Sequence, residues 1–143
     1  LSVNPGEPLK PLGSVASGGE ISRVMLAVKT VLADEEDTPT LIFDEIDTGI
    51  SGITAGKVGD RLRLIGKSRQ VICITHLPQI AATADHHFLI RKKAEGTSVR
   101  TDVEMLDEAA SVEELARLLG GANVTERVME SAKELKELAK CER

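Results

Sequence analysis

The sequence predicts an α/β fold built on a parallel βαβ core, followed by a peripheral β-hairpin and C-terminal helices. Apolar runs at positions 40–43 and 70–74 are continuous rather than alternating, which is typical of parallel strands covered on both faces. Residues 52–65 between them repeat apolar side chains at helical spacing, which makes the three segments a βαβ unit. The predicted core positions of this helix are Ala55, Val58, Leu62 and Ile65.

The first helix is predicted from Gly18 to about 34–37, because Pro39 blocks any continuation. Residues 4–13 precede it and hold three prolines and two glycines, which indicates a loop. The apolar residues that mark the helix at three- and four-residue steps are Ile21, Val24, Met25, Val28, Val31 and Leu32.

Two strands and two helices are predicted after a short helical segment at 78–83. The runs 87–92 and 98–106 flank Glu95-Gly96, which indicates a hairpin. Ser111 and Glu114 match the capping box of a helix that Gly120-Gly121 ends. The final amphipathic helix is predicted from a Thr125 cap to about Lys140.

Composition limits the classes of function. A chain of 143 residues is long enough for one domain with its own core, and we expect residues 1–143 to form a single domain. The net charge of −5 and the aromatic content of two Phe without Trp or Tyr argue against a broad, base-stacking nucleic-acid surface. The one basic cluster, at 91–93, is interpreted as a solvated strand edge rather than a DNA contact.

Cysteine usage and hydropathy predict a cytoplasmic protein without a membrane partner. Cys73 and Cys141 show neither a pairing pattern nor metal-ligand spacing, which favours a reducing compartment. No apolar stretch approaches 18 residues, and no secretory signal is recognised. The chain opens on Leu1 and a turn-rich segment, so we expect it to be a piece of a longer protein.

The stretch Ser17-Gly18-Gly19-Glu20 opens the first helix and predicts an anion site. A hydroxyl, unhindered backbone N–H groups and a helix N-terminus would point at one spot. The same residues are also typical of a plain capping turn, because Ser and Gly are common at helix starts. The downstream sequence decides between these interpretations.

Polar residues follow both predicted strands: Asp44 and Glu45 after the first, His76 after the second. Ligands in such sheets bind beyond the carboxyl ends of the strands. Asp44 is suited to Mg²⁺, Glu45 to polarising an attacking water, and His76 to bonding a γ-phosphate or that water. Each residue alone also fits a solvated turn or a structural histidine. The polar loop 47–51, directly after the acidic pair, favours a functional site.

In order, these motifs resemble the C-terminal lobe of an ABC-type ATPase head of the P-loop NTPase superfamily. Residues 17–20 look like the signature motif, 41–45 like the Walker B strand, 47–51 like the D-loop and His76 like the switch histidine. The resemblance runs over nearly the whole chain. It is to a bacterial SMC-like branch that acts in recombinational repair of DNA double-strand breaks.

The resemblance implies an ATPase with ATP as substrate and Mg²⁺ as cofactor. Asp44 would help to place Mg²⁺, Glu45 would be the general base or water-positioning group, and His76 would contact the γ-phosphate. The nucleotide-binding residues, acting in a sandwich between two heads, would be Ser17, Gly18, Gly19, Glu20, Asp47 and Ser51. The implied partners are the N-terminal lobe of the same head, a second head in an ATP-dependent homodimer, and DNA bound through the full-length protein. Such a protein would be cytoplasmic and associated with the nucleoid.

The family's main phosphate motif, Gly-x-x-x-x-Gly-Lys-Ser/Thr, is missing. Gly66-Lys67-Ser68 matches it only in part, because position 61 is Arg and a helix precedes it. We expect this Walker A motif, in an N-terminal lobe, and a coiled-coil arm to precede the chain in the full-length protein. The isolated lobe is expected to lack activity. Two alternatives stay open: a solitary dimerisation module without catalysis, and an ABC transporter subunit, which usually has Gln where this chain has Glu20.

Overall fold

The computed structural model describes residues 6, 8, 11, 16–32, 38–95 and 98–141. By its internal contacts the chain divides into two compact units, Leu1–His76 and Leu77–Arg143. The organisation of residues 1–143 as a single domain stays a prediction. Most of the loop predicted at 4–13 lies outside the described residues.

The first unit opens with helix α1, Gly18–Val31, which begins where the sequence predicts but ends earlier. Leu32 is its C-cap, and residues 33–37 lie outside the described residues.

The predicted βαβ unit is confirmed in the first unit. It consists of β1 (Thr40–Phe43), α2 (Gly52–Gly66) and β2 (Gln70–Cys73). The strands are parallel neighbours, with Thr40 opposite Gln70 and Phe43 opposite Cys73. All four predicted core residues of α2 are buried. The buried apolar side chains of this unit are Leu26, Leu41, Phe43, Ile46, Ala55, Val58, Leu62 and Ile65.

The prediction that both strand faces are covered is wrong for the described part of the chain. Leu41 and Phe43 are buried, whereas Ile42 between them is 67% exposed, and Ile72 and Ile74 are nearly half exposed. Successive strand side chains point to opposite faces. A continuous apolar run shows that both faces are apolar, and the described residues cover one of them.

The second unit begins with the short predicted helix, α3 (Pro78–Ala81), followed by the predicted hairpin. Strands β3 (His87–Glu95) and β4 (Ser98–Leu106) pair antiparallel, with His87 opposite Leu106 and Glu95 opposite Ser98. The turn residues 96–97 lie outside the described residues.

Two helices complete the unit, α4 (Glu108–Gly120) and α5 (Glu126–Cys141). Gly121, with φ of +63°, ends α4, and Thr125 Oγ1 accepts a hydrogen bond from the Val128 amide, as predicted for a cap. The buried core of this unit comprises Ala81, Ala82, Leu115, Ala116 and Ala132. The predicted α/β class, with a parallel strand pair, an antiparallel hairpin and C-terminal helices, is confirmed.

The predicted capping box of α4 is wrong. Asp107 caps the helix, its carboxylate accepting from the Ala110 amide, so the helix begins before Ser111. Asp is at least as good an N-cap as Ser, and it comes first along the chain. Ser111 is instead buried, with its hydroxyl 2.9 Å from His87 Nδ1, and Glu114 is paired with Arg117.

Candidate functional site

The end of β1 carries the two predicted acids on an exposed loop, residues 44–48, called here the acidic loop. Asp44 and Glu45 are exposed, while Ile46 and Asp47 are buried and anchor the loop to the unit. Asp44 Oδ1 accepts a hydrogen bond from the Glu45 amide at 2.8 Å. The Thr48 amide closes the turn by donating to the Glu45 carbonyl at 3.0 Å.

Glu45 has a strained backbone. Its φ of +56° lies in the left-handed region, and no other non-glycine residue described has a positive φ. This conformation costs a non-glycine residue about 1–3 kcal/mol, and it persists only where surrounding contacts impose it. Such strain is concentrated at functional sites, which agrees with the role predicted for Glu45.

Asp47 organises the neighbouring strand end. Its Oδ2 accepts hydrogen bonds from Thr75 Oγ1 at 2.6 Å and from the His76 amide at 2.8 Å, and it lies 2.9 Å from His76 Nδ1. Burial raises the pKa of Asp47, but the bonds from Thr75 and His76 outweigh burial and hold the pKa below its usual value. The carboxylate is therefore ionised at neutral pH and fixes the His76 ring.

His76 is held by one nitrogen and exposed on the other side. Its side chain is 69% exposed, while the Asp47 side chain is 4% exposed. A ring that uses Nδ1 toward a carboxylate directs Nε2 away from that carboxylate. The ring is thus oriented by the chain itself before any ligand is present.

The signature stretch forms a complete capping box. Ser17 Oγ accepts from the Glu20 amide at 3.3 Å, and Glu20 Oε2 accepts from the Ser17 amide at 2.7 Å and from its hydroxyl at 2.9 Å. These bonds, the backbone bond from Ser17 first, lower the pKa of Glu20. The capping turn is therefore formed by these residues, and the anion site predicted at the same place stays a prediction.

Helix α1, called here the signature helix after the motif that residues 17–20 resemble, lies directly against the acidic loop. A Cβ added to Gly18 would stand 2.6 Å from Glu45 Oε2. One added to Gly19, which is buried, would stand 2.8 Å from the Glu45 carbonyl oxygen and 2.9 Å from Thr48. The structure thus brings Gly18 and Gly19 next to Glu45, which follows them in the sequence by 27 and 26 residues.

Sequence reasoning missed the groups that hold this arrangement. Ser22 and Arg23 of α1 bond to carbonyl groups of the acidic loop, and Thr75 bonds to Asp47. No local pattern signals them, because the partners are more than 20 residues apart. Ser51, predicted to bind nucleotide, is exposed at the N-cap of α2 and makes no side-chain capping bond. The role predicted for Ser51, like the roles of the other predicted site residues, stays a prediction.

The acidic loop fits Mg²⁺ only if water and substrate phosphates supply the other ligands of the ion. Among the described residues, no three His, Cys, Asp or Glu side chains cluster so as to hold a metal ion. Mg²⁺ is usually bound by one or two carboxylates, with water and substrate phosphates completing its octahedron. The exposed carboxylate of Asp44 suits that arrangement.

Cys73 lies at the end of β2, near the acidic loop. Burial, together with the charges of Asp47 and Asp44, raises the pKa of Cys73 to about 12, so this cysteine is an unreactive thiol at neutral pH.

Across the described residues, no helix combines the length and the apolar character needed to cross a membrane.

Comparison with known proteins first establishes the class. No protein-family model matches the chain. A solved structure from work on ATP-driven dimerization and DNA-stimulated activation of SMC ATPases matches with a TM-score of 0.54 and 19% identity. The match covers 82% of this chain and 70% of that chain. The fold is that of an SMC ATPase head.

Sequence relatives establish the family. The chain is 52% identical over 139 residues to the DNA repair protein RecN of Halalkalibacterium halodurans, covering 97% of the chain and 25% of the relative. It is 50% identical over 135 residues to RecN of Vibrio cholerae, covering 94% and 24%. RecN of Streptomyces coelicolor is 43% identical over 143 residues, covering 100% and 25%. The chain belongs to the RecN family, and it spans about a quarter of the length of these relatives.

Proposed function

We propose that this chain is the C-terminal lobe of an ATPase head that binds and hydrolyses ATP at the interface of two heads. The observation that carries the proposal is the carboxyl edge of the parallel strand pair. There an exposed Asp44 and a strained Glu45 follow β1, and a histidine fixed by Asp47 follows β2. RecN membership makes the transporter alternative unnecessary.

The roles follow from the chemistry of each group. Asp44 would help to hold Mg²⁺, whose positive charge would offset the negative charge of the ATP phosphates. Glu45 accepts a proton from, or orients, the attacking water. His76 presents Nε2 to the γ-phosphate, because Asp47 occupies Nδ1. Because Asp47 already orients the His76 ring, this group would be preorganised to stabilise charge in the transition state.

The signature helix supplies a second phosphate site. The first amides of a helix have no partner within the helix, and the helix dipole favours an anion there. Ser17 and Gly18 are exposed, so an ATP carried by another head can reach them. Glu20 holds the Ser17 turn in place through the capping box. The D-loop residues Asp47 and Ser51 belong to the same proposed interface.

An N-terminal lobe is the proposed partner within the head. Val24, Met25 and Val28 of α1 are each more than 40% exposed, as are Ile42 and Ile72 on the bare strand face. Between α1 and β1 lies an open groove of about 170 Å³, mostly apolar. Exposed apolar side chains that lie together are typical of an interaction site. The N-terminal lobe would cover it and would bring the Walker A motif that the chain lacks.

A second candidate function is supported by the same exposed face. Without an N-terminal lobe, the face would favour pairing with a second copy, which would make the chain a dimerisation module without catalysis. The two candidates differ in whether ATP is needed for association and whether it is hydrolysed.

The relatives are named DNA repair proteins, and we propose that the full-length protein acts in recombinational repair of DNA double-strand breaks. ATP binding would join two heads, and hydrolysis would separate them, while DNA is bound through the full-length protein. A protein that acts on DNA in this way would be associated with the nucleoid in the bacterial cytoplasm.

The proposed function is tested by Mg²⁺-ATP hydrolysis. The chain is assayed alone, mixed with the N-terminal lobe, and in the same mixture with Glu45→Gln. Activity is expected only in the mixture and is expected to be lost with Glu45→Gln. A matched control, Glu130→Gln, changes an exposed glutamate of α5 and should keep the rate of the mixture. Hydrolysis by the chain alone, or an unchanged rate with Glu45→Gln, would contradict the assignment.

A further inference from the structure

Side chains of α1 bond to three alternate carbonyl groups of the acidic loop. Ser22 Oγ donates to the Asp44 carbonyl at 3.0 Å. Arg23 Nη1 donates to the Ile46 carbonyl at 3.1 Å and to the Thr48 carbonyl at 2.9 Å. An Nη1 atom carries two hydrogens, so one guanidinium nitrogen serves both carbonyls.

These bonds bracket the strained residue. Glu45 lies between the Asp44 and Ile46 carbonyl groups that Ser22 and Arg23 hold, and its own carbonyl packs against Gly19. A left-handed glutamate relaxes unless its neighbours fix the peptide on each side. Within the acidic loop, the Glu45 amide donates to Asp44 Oδ1 and the Thr48 amide donates to the Glu45 carbonyl, so local bonds reach both peptides beside Glu45. The bonds from Ser22 and Arg23 fix this turn against α1, with Arg23 holding the two carbonyl groups that follow Glu45 at positions 46 and 48.

Arginine suits this position for a physical reason. Hydrogen bonds from a charged donor are about twice as strong as neutral ones, and a planar guanidinium is already organised for two acceptors. The Arg23 bond to Ile46 is partly buried, where water competes less for the carbonyl oxygen. A lysine keeps the charge, but its ammonium lies one bond nearer the backbone than Nη1 and so reaches the two carbonyl groups less well.

We propose that Arg23 is a positioning residue for Glu45: it holds the Ile46 and Thr48 carbonyl groups, and so keeps Glu45 in its left-handed conformation with the carboxylate beside Gly18. The inference rests on the proposed function, in which Glu45 acts on the attacking water. It has a consequence for a two-head sandwich. The signature helix serves one ATP and Glu45 serves the other, and Arg23 ties the two together within one chain.

The test uses the full-length protein with Arg23→Gln, Arg23→Lys and, as a matched control, Arg61→Gln, which changes an exposed arginine of α2. Steady-state ATPase rates give kcat and KM, and light scattering gives the ATP-dependent head dimer. Because small misplacement of a reacting group costs about 10- to 100-fold in rate, Arg23→Gln should lower kcat by about that factor. KM and dimer formation should stay close to wild type, Arg23→Lys should be intermediate, and Arg61→Gln should match wild type.

The outcomes separate this inference from the proposed function. If Glu45→Gln abolishes hydrolysis while Arg23→Gln keeps the wild-type kcat, the inference is wrong and the proposed function stands. If Arg23→Gln loses ATP binding, dimer and kcat together, Arg23 is structural and the inference is also wrong. Should Arg23→Gln fail to fold, Arg23→Lys decides, since a wild-type kcat for that variant would overturn the proposal. An unchanged rate with Glu45→Gln would overturn the proposed function itself.

Discussion

Removing the Asp47 carboxylate should destabilise the first unit and release His76. The perturbations are Asp47→Ala, which removes the acceptor, and Asp47→Asn, which keeps one carbonyl oxygen but removes the charge. Two donors, Thr75 Oγ1 and the His76 amide, lie within 2.8 Å of Asp47 Oδ2 in a partly buried setting. The third, His76 Nδ1, belongs to a ring that is 69% exposed.

The magnitude follows from these bonds. A hydrogen bond to a charged group contributes about 1.5–3 kcal/mol, and contributions within one network are not additive. The bond to the exposed ring is weakened by solvent and is discounted. We therefore expect Asp47→Ala to lower the free energy of unfolding by about 2–4 kcal/mol and Asp47→Asn by about 1–2 kcal/mol.

The effect should depend on pH in a defined direction. The pKa of Asp47 is below its ordinary value of 3.8 in the folded chain. The carboxylate's contribution is therefore present above that value and is lost as pH falls through the folded pKa. The difference between wild type and Asp47→Asn should shrink over that acidic range.

Urea unfolding of the chain at pH 7 and at acidic pH measures these differences, and amide hydrogen exchange over residues 40–76 isolates the first unit. The control is Asp60→Asn, which alters a half-exposed carboxylate 3.8 Å from Arg63, too far for a hydrogen bond, and should change stability by less than about 1 kcal/mol. If Asp47→Asn behaved like Asp60→Asn at pH 7, or if its effect were the same at acidic pH, the account of this carboxylate would be refuted.

Three further predictions concern packing and titration. Gly19→Ala should destabilise the first unit by about 1–3 kcal/mol, because the new Cβ meets backbone of the acidic loop, while Gly56→Ala, with open space around it, should be neutral or stabilising in thermal melts. Leu115→Ala, at a fully buried position, should lower the free energy of unfolding in urea by about 2–5 kcal/mol. Leu138→Ala, at a half-exposed position, should lower it by less than about 1 kcal/mol. Burial lowers the pKa of His87, so stability should be complete above its ordinary value of 6.5 and should fall as pH drops below it. His87→Gln should flatten that pH dependence, and an unchanged profile would contradict it.

The βαβ core could be predicted because its signals are local. A continuous apolar run can be recognised from only four residues. The helical repeat of α2 predicts every residue that the structure buries on that helix apart from Gly59. The hairpin strands and the Thr125 cap were visible for the same reason.

The rest depended on partners distant in sequence. Asp47 reaches His76 over 29 residues, and Arg23 reaches Thr48 over 25. The left-handed backbone of Glu45 is imposed by these neighbours rather than by its own preference. Ser111 shows the opposite error: its spacing to a glutamate fitted a capping box, but Asp107 begins the helix earlier and leaves that pattern inside it.

The exposed face of β1 and β2 could not be read from the sequence either. An apolar side chain such as Ile42 predicts burial, but the sequence does not say whether the covering element belongs to the same stretch of chain.

The central claim is that two heads share each ATP, one giving Glu45 and the other giving the Ser17 helix. Full-length Glu45→Gln and Ser17→Arg proteins, each inactive alone, are mixed and their ATPase rate is measured. In a mixed dimer one site combines an intact Glu45 with an intact signature helix, so random pairing should restore about a quarter of the wild-type rate. Glu45→Gln mixed with the double variant Ser17→Arg/Glu45→Gln is the control and should stay inactive. If the two single variants gave no activity when mixed, the signature helix and Glu45 would act within one head, contrary to the composite site.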